Sequence, residues 1–238
     1  MSLEDKRIVV IGGGSGMGLA VAHAAAAQDA EVIISGRNVQ KLEEAASGIS
    51  GRVQVAQLDL TDEDSVAQMF ERVDTLDHLV VTGASGSPGE FLSQPVTEAQ
   101  YFMDSKFWGA FRAARYAAPR LREKGSITFN SGGFAVTPTA GAALVTASLA
   151  ALEMLGKSLA LELAPIRVNS VRPGTIETPL WNEMPESDRR KLFEEAANRA
   201  PVGRVGQPED VALAVLFLIN HEYITGTVLD VNGGETLT

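Results

Sequence analysis

The chain has 238 residues, no cysteine and a formal net charge of −10, so disulfide bonds and thiolate zinc sites are excluded and a basic nucleic-acid surface is not expected. The three histidines are too scattered to predict a metal site, and charged residues interrupt the longest apolar run, so we expect no membrane span. No apolar segment precedes the first predicted strand, so we expect a soluble cytoplasmic protein with one domain over residues 1–238.

A buried strand near the start of the sequence runs into a glycine-rich turn. Four consecutive β-branched residues, 8–11, predict a strand covered on both faces. Glycines then follow at Gly-x-x-x-Gly-x-Gly spacing, and helical sequence begins within the same turn. Glycines let the backbone approach a diphosphate, and the free N–H groups of a helix N-terminus attract anions. The stretch predicts a nucleotide cradle, with a purely structural turn as the alternative. The predicted cradle residues are Gly12, Ser15, Gly16, Met17 and Gly18.

Strand-like and helical runs alternate along the rest of the chain. Further strands are expected at 31–35, 53–58, 78–82, 126–130, 166–171 and 227–231. Long helices are expected at about 98–123 and 141–164. This alternation predicts an α/β fold with a doubly wound, seven-stranded parallel sheet flanked by helices. Ligands of such sheets lie at the carboxyl ends of the strands, where the glycine turn also lies.

The residues just past the second strand indicate which nucleotide is bound. A carboxylate there would accept a hydrogen bond from the ribose 2′-OH of NAD, but the sequence has Ser35, Gly36 and Arg37. Arg37 would bind a 2′-phosphate, so we predict NADP(H) rather than NAD(H); a solvated surface arginine is the alternative. Asp59, at the end of the third strand, would accept from the adenine amino group or cap a helix.

Several later motifs, in the same order, resemble those of the short-chain dehydrogenase/reductase family. They are LDLTD at 58–62, GSITFNS at 125–131, RVNSVRPGTIETP at 167–179, PVGRVGQPEDVALAVLFL at 201–218 and YITGTVLDVNGG at 223–234. With the glycine turn, they cover essentially the whole chain. The resemblance implies a Rossmann fold, a nicotinamide cofactor and hydride transfer to or from a carbonyl or alcohol. It also implies cofactor contacts at Leu60, Gly83, Pro173, Gly174, Ile176 and Thr178.

The catalytic positions of that family carry other residues here. The family's Tyr-x-x-x-Lys pair falls on Val145 and Leu149, which are one helical turn apart. Its serine falls on Gly132, and its helical asparagine falls on Lys106. Neither Val145 nor Leu149 has a proton to give, and removal of a positioned general acid costs about 10²–10⁴-fold in rate. Ordinary carbonyl reductase activity is therefore not expected.

Two hypotheses follow. The first is an NADP(H)-dependent oxidoreductase with a non-standard site, in which Lys106 and Ser131 are the candidate catalytic residues and the substrate is an activated C=N, C=C or C=O compound. For Lys106, the alternative is a partly buried side chain with its amine in solvent. The second hypothesis is a catalytically inactive NADP(H)-binding protein that acts as a sensor or a structural partner.

Two further expectations come from the resemblance. Segment 180–201 lies where the family has its substrate lid, and its charged, proline-bounded helix does not identify the substrate. The long helices carry more outward apolar residues than one core face needs, and family members pair these helices between subunits. A homotetramer is therefore expected, with a homodimer as the alternative.

Overall fold

A computed structural model describes residues 3–84 and 89–238. Seven parallel strands form one sheet in the order β3-β2-β1-β4-β5-β6-β7, which confirms the predicted architecture. The strands are β1 (Arg7–Ile11), β2 (Glu31–Gly36), β3 (Arg52–Gln57), β4 (Leu76–Val81), β5 (Leu121–Asn130), β6 (Arg167–Pro173) and β7 (Val228–Val231). The strand order reverses between β1 and β4, and such switch points are where doubly wound sheets bind ligands.

Helices cover both faces of the sheet. Within the described ranges they are α1 (Gly16–Ala26), α2 (Val39–Ser47), α3 (Glu63–Arg72), α4 (Val96–Met103), α5 (Gly109–Ala117), α6 (Ala143–Glu162), α7 (Glu186–Arg199) and α8 (Pro208–Asn220). Successive side chains of β1 point to opposite faces. Ile8 and Val10 pack with α1 and α8, whereas Val9 and Ile11 pack with α3, α5 and α6. The apolar run that predicted β1 therefore supplies both halves of the core.

The predicted helical stretch over 98–123 is confirmed as far as Arg120, whereas its last three residues lie in a strand. A π-helical turn, Asp104–Trp108, separates α4 from α5, and α5 ends at Ala117. Pro119 lies in the short 3₁₀ turn that follows, and β5 begins at Leu121. Proline has no N–H group to continue the helical bonding, which accounts for the early end. π turns inside helices are frequent at functional sites, and this one contains the candidate residue Lys106.

Within the described part of the chain, one helix is long and apolar enough to cross a membrane by length and composition, namely α6. It packs against β6, and its buried Glu153 pairs with Arg172 of that strand. Core helices of globular proteins pass the same test of length and composition. One face of α6 therefore packs on the sheet, and a third of its apolar window is buried.

Candidate active site

The glycine turn between β1 and α1 lies too close to β4 to accept side chains. Gly12 has φ +87° and Gly16 has φ +53°, a region of backbone conformation that favours glycine. A Cβ atom on Gly18 would lie only 2.6 Å from the hydroxyl oxygen of Thr82. These positions therefore require glycine, and the turn carries no side chain that would keep a diphosphate away from the backbone.

The N-terminus of α1 has the free donors that an anion needs. Ser15 is the N-cap residue, and its side chain makes no capping hydrogen bond. Its carbonyl oxygen accepts from the N–H of Leu19 at 3.2 Å. The first N–H groups of a helix have no partner inside the helix, so those that follow Ser15, Met17 among them, are available to phosphate oxygens. The residues present fit a dinucleotide at this edge of the sheet.

At the predicted adenosine end, Arg37 and Asp59 follow β2 and β3. The guanidinium of Arg37 is exposed and donates to the hydroxyl of Tyr101 at 3.2 Å, so a residue of α4 bridges this end of the site. Asp59 accepts from the N–H and the hydroxyl of Thr61 at 2.9 and 2.8 Å. The cap of α3 is Asp62, so the alternative role of Asp59 as that helix cap is wrong.

The segment after β6 folds back over the glycine turn. A Cβ atom on Gly16 would lie 3.3 Å from the Cβ of Thr178, so these two predicted cofactor contacts are neighbours. Ile176 is buried, and Pro173 is the last residue of β6, directly before Gly174. The structure thus brings the predicted diphosphate and nicotinamide contacts to one edge of the sheet.

The remaining predicted contacts, Leu60 and Gly83, lie at the same edge. The N–H of Gly83 donates to the carbonyl of Ile11 at 3.2 Å, where β4 meets the glycine turn. Leu60 is buried against Gly109 at the start of α5.

The predicted lid, residues 180–201, contains a short 3₁₀ turn and α7. The indole N–H of Trp181 donates to the carbonyl of Ile176 at 2.8 Å, and its ring packs edge-on against Phe193 of α7. This bond joins the start of the segment to a predicted nicotinamide contact. Closure of the segment over a substrate stays a prediction.

The positions that correspond to the family's serine, tyrosine and lysine form an apolar surface. A Cβ atom on Gly132 would lie 3.2 Å from Cδ1 of Leu149, so the end of β5 meets α6 here. Leu149 is buried, and Val145 is half-buried one turn earlier on the same helix. These side chains exclude water but have no group that transfers a proton.

The side-chain amine of Lys106 lies at the carboxyl end of β5. Within residues 3–84 and 89–238, it is the only amine that the structure shows hydrogen-bonded there. Its side chain is buried in the π turn, and Nζ donates to the main-chain oxygen of Asn130 at 2.7 Å. The alternative of an amine in solvent is therefore wrong. Desolvation lowers the pKa of Lys106 to about 8, since burial disfavours the charged form. The amine can hold a proton near neutral pH and release it readily.

Ser131 belongs to a different set of contacts. Its hydroxyl donates to Oε1 of Glu153 at 2.7 Å, and Glu153 forms a two-bond ion pair with Arg172 at 2.9 and 2.8 Å. Arg172 also pairs with Asp230, and hydrogen bonding to Glu153 raises the pKa of Arg172. This network ties β5, α6 and β6 together next to the apolar surface. This network was not predicted from the sequence, although an acid four residues after Leu149 in an apolar helix is a signal of a buried ion pair.

Two buried polar atoms near this surface have no hydrogen-bond partner among the described residues. One is the side-chain oxygen of Asn130, and the other is the hydroxyl of Thr146, beside Val145. Buried polar groups in proteins are usually paired, and unpaired ones mark places where a ligand or water can bind. The end of β5 and the start of α6 therefore offer two ligand contacts besides Lys106.

Comparison with known proteins decides the family. The profile of a family described as enoyl-(acyl carrier protein) reductase matches residues 12–236. The chain belongs to the short-chain dehydrogenase/reductase family. It is 34% identical to the short-chain dehydrogenase/reductase ATR9 of Stachybotrys chlorohalonatus, with 99% of each chain covered. It is 33% identical to the 3-oxoacyl-(acyl-carrier-protein) reductase FabG of Thermotoga maritima, over 98% of this chain and 99% of the relative.

Solved structures agree with this assignment to the short-chain dehydrogenase/reductase family. A small-chain dehydrogenase in complex with NADPH is 37% identical, with a TM-score of 0.84 over 99% of this chain and 100% of the other. The MalC reductase/Diels-Alderase of Malbranchea aurantiaca is 30% identical, with a TM-score of 0.93 over 99% of this chain and 98% of the other. The resemblance and the Rossmann fold are confirmed, and the chain is an oxidoreductase of the short-chain dehydrogenase/reductase type.

Proposed function

We propose that the protein is an NADP(H)-dependent reductase of activated double bonds that uses Lys106 as its proton donor. The observation that carries this proposal is the buried amine of Lys106, 2.7 Å from the main-chain oxygen of Asn130. Asn130 lies two residues before Gly132, whose Cβ position faces Leu149. This bond supports the proposal because it holds an amine at the end of β5, next to the position of the family's serine, Gly132.

The cradle supports NADP(H) as the cofactor. The glycine turn and the N-terminus of α1 would hold the diphosphate, and the exposed guanidinium of Arg37 would hold the 2′-phosphate. Thr178 would contact the nicotinamide end, since it lies over Gly16. When bound, the reduced cofactor would supply the hydride. The related small-chain dehydrogenase that was solved in complex with NADPH supports this choice.

Lys106 suits a substrate that needs limited help from an acid. Its pKa of about 8 lets it keep a proton at neutral pH in a buried position. An activated C=N, C=C or C=O bond accepts hydride without the stronger assistance of a tyrosine–lysine pair. Ser131 is a weaker candidate, because its hydroxyl proton is already donated to Glu153. We propose that Ser131 instead holds the end of β5 in place.

A binding and turnover experiment tests the proposal. NADPH is added first and its fluorescence followed, and the complex is then given ketones, imines and conjugated enones while nicotinamide absorbance is recorded. We expect bound NADPH, turnover of at least one substrate class, and a loss of about 10²-fold or more in Lys106→Met but not in Ser131→Ala. Equal turnover in Lys106→Met would contradict the role of Lys106.

The second candidate function is an inactive NADP(H)-binding protein, a sensor or a structural partner. The apolar pair Val145 and Leu149 favours this function, because a protein that catalyses no reaction needs no substitute for the family's tyrosine and lysine. Binding of NADPH without turnover of any of the three substrate classes would support this function over the first.

We also propose a homotetramer, with a homodimer as the alternative. Large apolar side chains are exposed along the helices that flank the sheet; they include Trp108, Met154, Leu161, Leu213 and Phe217. These apolar side chains lie outside the hydrophobic core of the subunit. Exposed apolar helix faces of this kind are typical of surfaces that are buried between subunits. Light scattering gives the mass in solution. We expect Leu161→Glu to lower the mass and Leu237→Glu, an equally exposed control near the C-terminus, to leave it unchanged.

A further inference from the structure

We infer that Glu235 is a positioning residue that holds the nicotinamide loop, residues 174–178, in the conformation that binds the cofactor. The inference rests on the proposed function, since this loop would contact the nicotinamide end of NADP(H). Glu235 acts through Thr175, which lies between two of the proposed cofactor contacts, Gly174 and Ile176.

A tight turn after β7 brings Glu235 next to the nicotinamide loop. β7 pairs with β6 in parallel, so both strands end at the same edge of the sheet. Gly233 and Gly234 then have φ of +61° and +85°, a conformation that favours glycine. The N–H of Glu235 donates to the carbonyl of Asn232 at 3.0 Å and closes the turn. The sequence Asn-Gly-Gly-Glu therefore places an acidic side chain beside the segment that follows β6.

The carboxylate of Glu235 makes two hydrogen bonds with one residue of the nicotinamide loop. It accepts from the N–H of Thr175 at 2.7 Å and from the hydroxyl of Thr175 at 2.8 Å. A Cβ atom on Gly174 would collide with the same carboxylate, so glycine leaves the room that Glu235 needs. The side chain of Glu235 is 13% exposed, and hydrogen bonds to an ionised carboxylate are about twice as strong as neutral ones. Glu235 thus fixes both the main chain and the side chain of Thr175.

The other supports of the nicotinamide loop leave a gap beside it. The N–H of Gly206 donates to the carbonyl of Thr175 at 3.0 Å, and the carbonyl of Gly206 accepts from the N–H of Glu177 at 2.9 Å. A pocket of about 360 Å³ is lined by Thr175, Ile176 and Glu235 together with the end of α7 and the start of α8. Side chains do not fill this space, so close packing does not hold the loop there. Without the carboxylate, Thr175 would be free to shift towards the pocket.

The third hydrogen bond of the carboxylate joins it to the predicted lid. Nη2 of Arg199, the last residue of α7, donates to Glu235 at 3.2 Å. The side chain of Arg199 is 50% exposed, and exposed ion pairs contribute little to stability. The two bonds to Thr175 therefore account for the positioning role.

This role concerns the nicotinamide half of the cofactor. The glycine turn would hold the diphosphate and Arg37 the 2′-phosphate. In the part of the chain that the structure describes, the hydrogen bonds of Glu235 go to Thr175 and Arg199 and not to either of these elements. A ligand that has the adenosine half alone should therefore bind independently of Glu235.

A binding experiment with two ligands tests the inference. NADPH has both halves, whereas adenosine 2′,5′-bisphosphate has the 2′-phosphate but no nicotinamide. By titration calorimetry, we expect Glu235→Ala to bind NADPH about tenfold more weakly than the wild type and to bind adenosine 2′,5′-bisphosphate equally well. General damage to the fold would weaken binding of both ligands. The control Glu123→Ala removes an exposed carboxylate from the first half of β5 and should change neither affinity.

Three more variants separate the bonds of Glu235. Glu235→Gln should keep most of the NADPH affinity, because its amide oxygen accepts from the N–H of Thr175 and its NH₂ group donates to the hydroxyl. Thr175→Val removes the hydroxyl bond alone and should weaken NADPH binding less than Glu235→Ala does. Arg199→Met should leave the NADPH affinity unchanged.

The outcomes separate this inference from the proposed function. Unchanged NADPH affinity in Glu235→Ala, or an equal loss for both ligands, would overturn the inference. If the expected difference between the ligands is found but no substrate is reduced, the inference stands and the proposed reductase function fails. A wild-type protein that binds no NADPH would overturn both.

Discussion

The amine of Lys106 and the main-chain oxygen of Asn130 are joined by a buried hydrogen bond of 2.7 Å at the end of β5. The bond links the π turn to the end of β5. Two residues after Asn130, Gly132 lies against Leu149 of α6. A charged group held in this way has an unfavourable desolvation energy, which lowers its pKa. The proposed chemistry of the site and the pH dependence of its stability therefore depend on the same side chain.

Stability should rise with pH because of Lys106. Its pKa falls from 10.5 in an unfolded chain to about 8 in the fold, so the unfolded chain holds more protons between these two values. At about 1.4 kcal/mol per pKa unit, the free energy of unfolding of the wild type should gain about 3 kcal/mol relative to Lys106→Met between pH 8 and pH 10.5. Urea unfolding of both proteins across this range measures the difference. Parallel curves would show that the amine is not desolvated.

At pH 7, the effect of Lys106→Met on the free energy of unfolding should be smaller than the desolvation energy of the charged amine. The substitution removes the buried charge but also leaves the oxygen of Asn130 without its donor, which costs about 1–3 kcal/mol. The change with pH is therefore the decisive quantity.

Reductase activity should fall at alkaline pH. Because the pKa of Lys106 is about 8, the proton donor is charged below that value and lost above it. Asp104, in the same π turn, and Glu153, on α6, are each paired with an arginine. We expect kcat for an enone to be constant below pH 7 and to fall about tenfold per pH unit well above pH 8. A profile that stays level to pH 10 in the wild type would contradict the assignment, and Lys106→Met should be slow and level throughout.

Glu153→Gln should destabilise the fold. It leaves the half-buried guanidinium of Arg172 without its two-bond partner, and removing one partner of a fully buried ion pair costs about 3–5 kcal/mol. Asp230 still neutralises part of that charge, so we expect about 3 kcal/mol from chemical unfolding at pH 7. Glu195→Gln, in an exposed pair with Lys191 at 3.9 Å, is the control and should leave stability unchanged. Equal stability of the two variants would rule out an energetic role for the network.

Arg37→Ala should remove the preference for the phosphorylated cofactor. A lost charge-assisted hydrogen bond to the 2′-phosphate weakens binding by about 1.5–3 kcal/mol, which is about 10–100-fold. NADH has no such phosphate, so its affinity should not change. Arg52→Ala is the control. Arg52 is the first residue of β3, at the opposite end of the strand from the site, and its guanidinium donates to the carbonyl of Asp29. Titration calorimetry with both cofactors measures the ratio, and an equal loss for NADPH and NADH would contradict the role of Arg37.

The sequence predicts those parts of the site whose causes are local. Glycines at 12, 16 and 18 are required by a turn of seven residues, and α1 begins inside that turn, at Gly16, as predicted. The alternation of strands and helices likewise predicts the sheet, because buried parallel strands have continuous apolar sequence.

The parts that depend on distant contacts were not predictable. The predicted helical stretch ran to residue 123, yet β5 begins at Leu121, which pairs with Leu76 of β4. The hydrogen bond from Lys106 to Asn130 joins residues 24 positions apart in the sequence, and the bond from Ser131 to Glu153 joins residues 22 positions apart. Local sequence patterns contain no information about such distances, so the surroundings of both candidate residues came from the fold.

The most direct test is a crystal structure of the protein with NADPH, in which the distance from Nζ of Lys106 to C4 of the nicotinamide is measured. The account predicts NADPH in the glycine cradle with its 2′-phosphate on Arg37, and a distance within about 6 Å, which leaves room for one substrate carbonyl within about 3 Å of the amine. An amine directed away from C4 behind the side chains of β5, or a cradle that binds no NADPH, would contradict it.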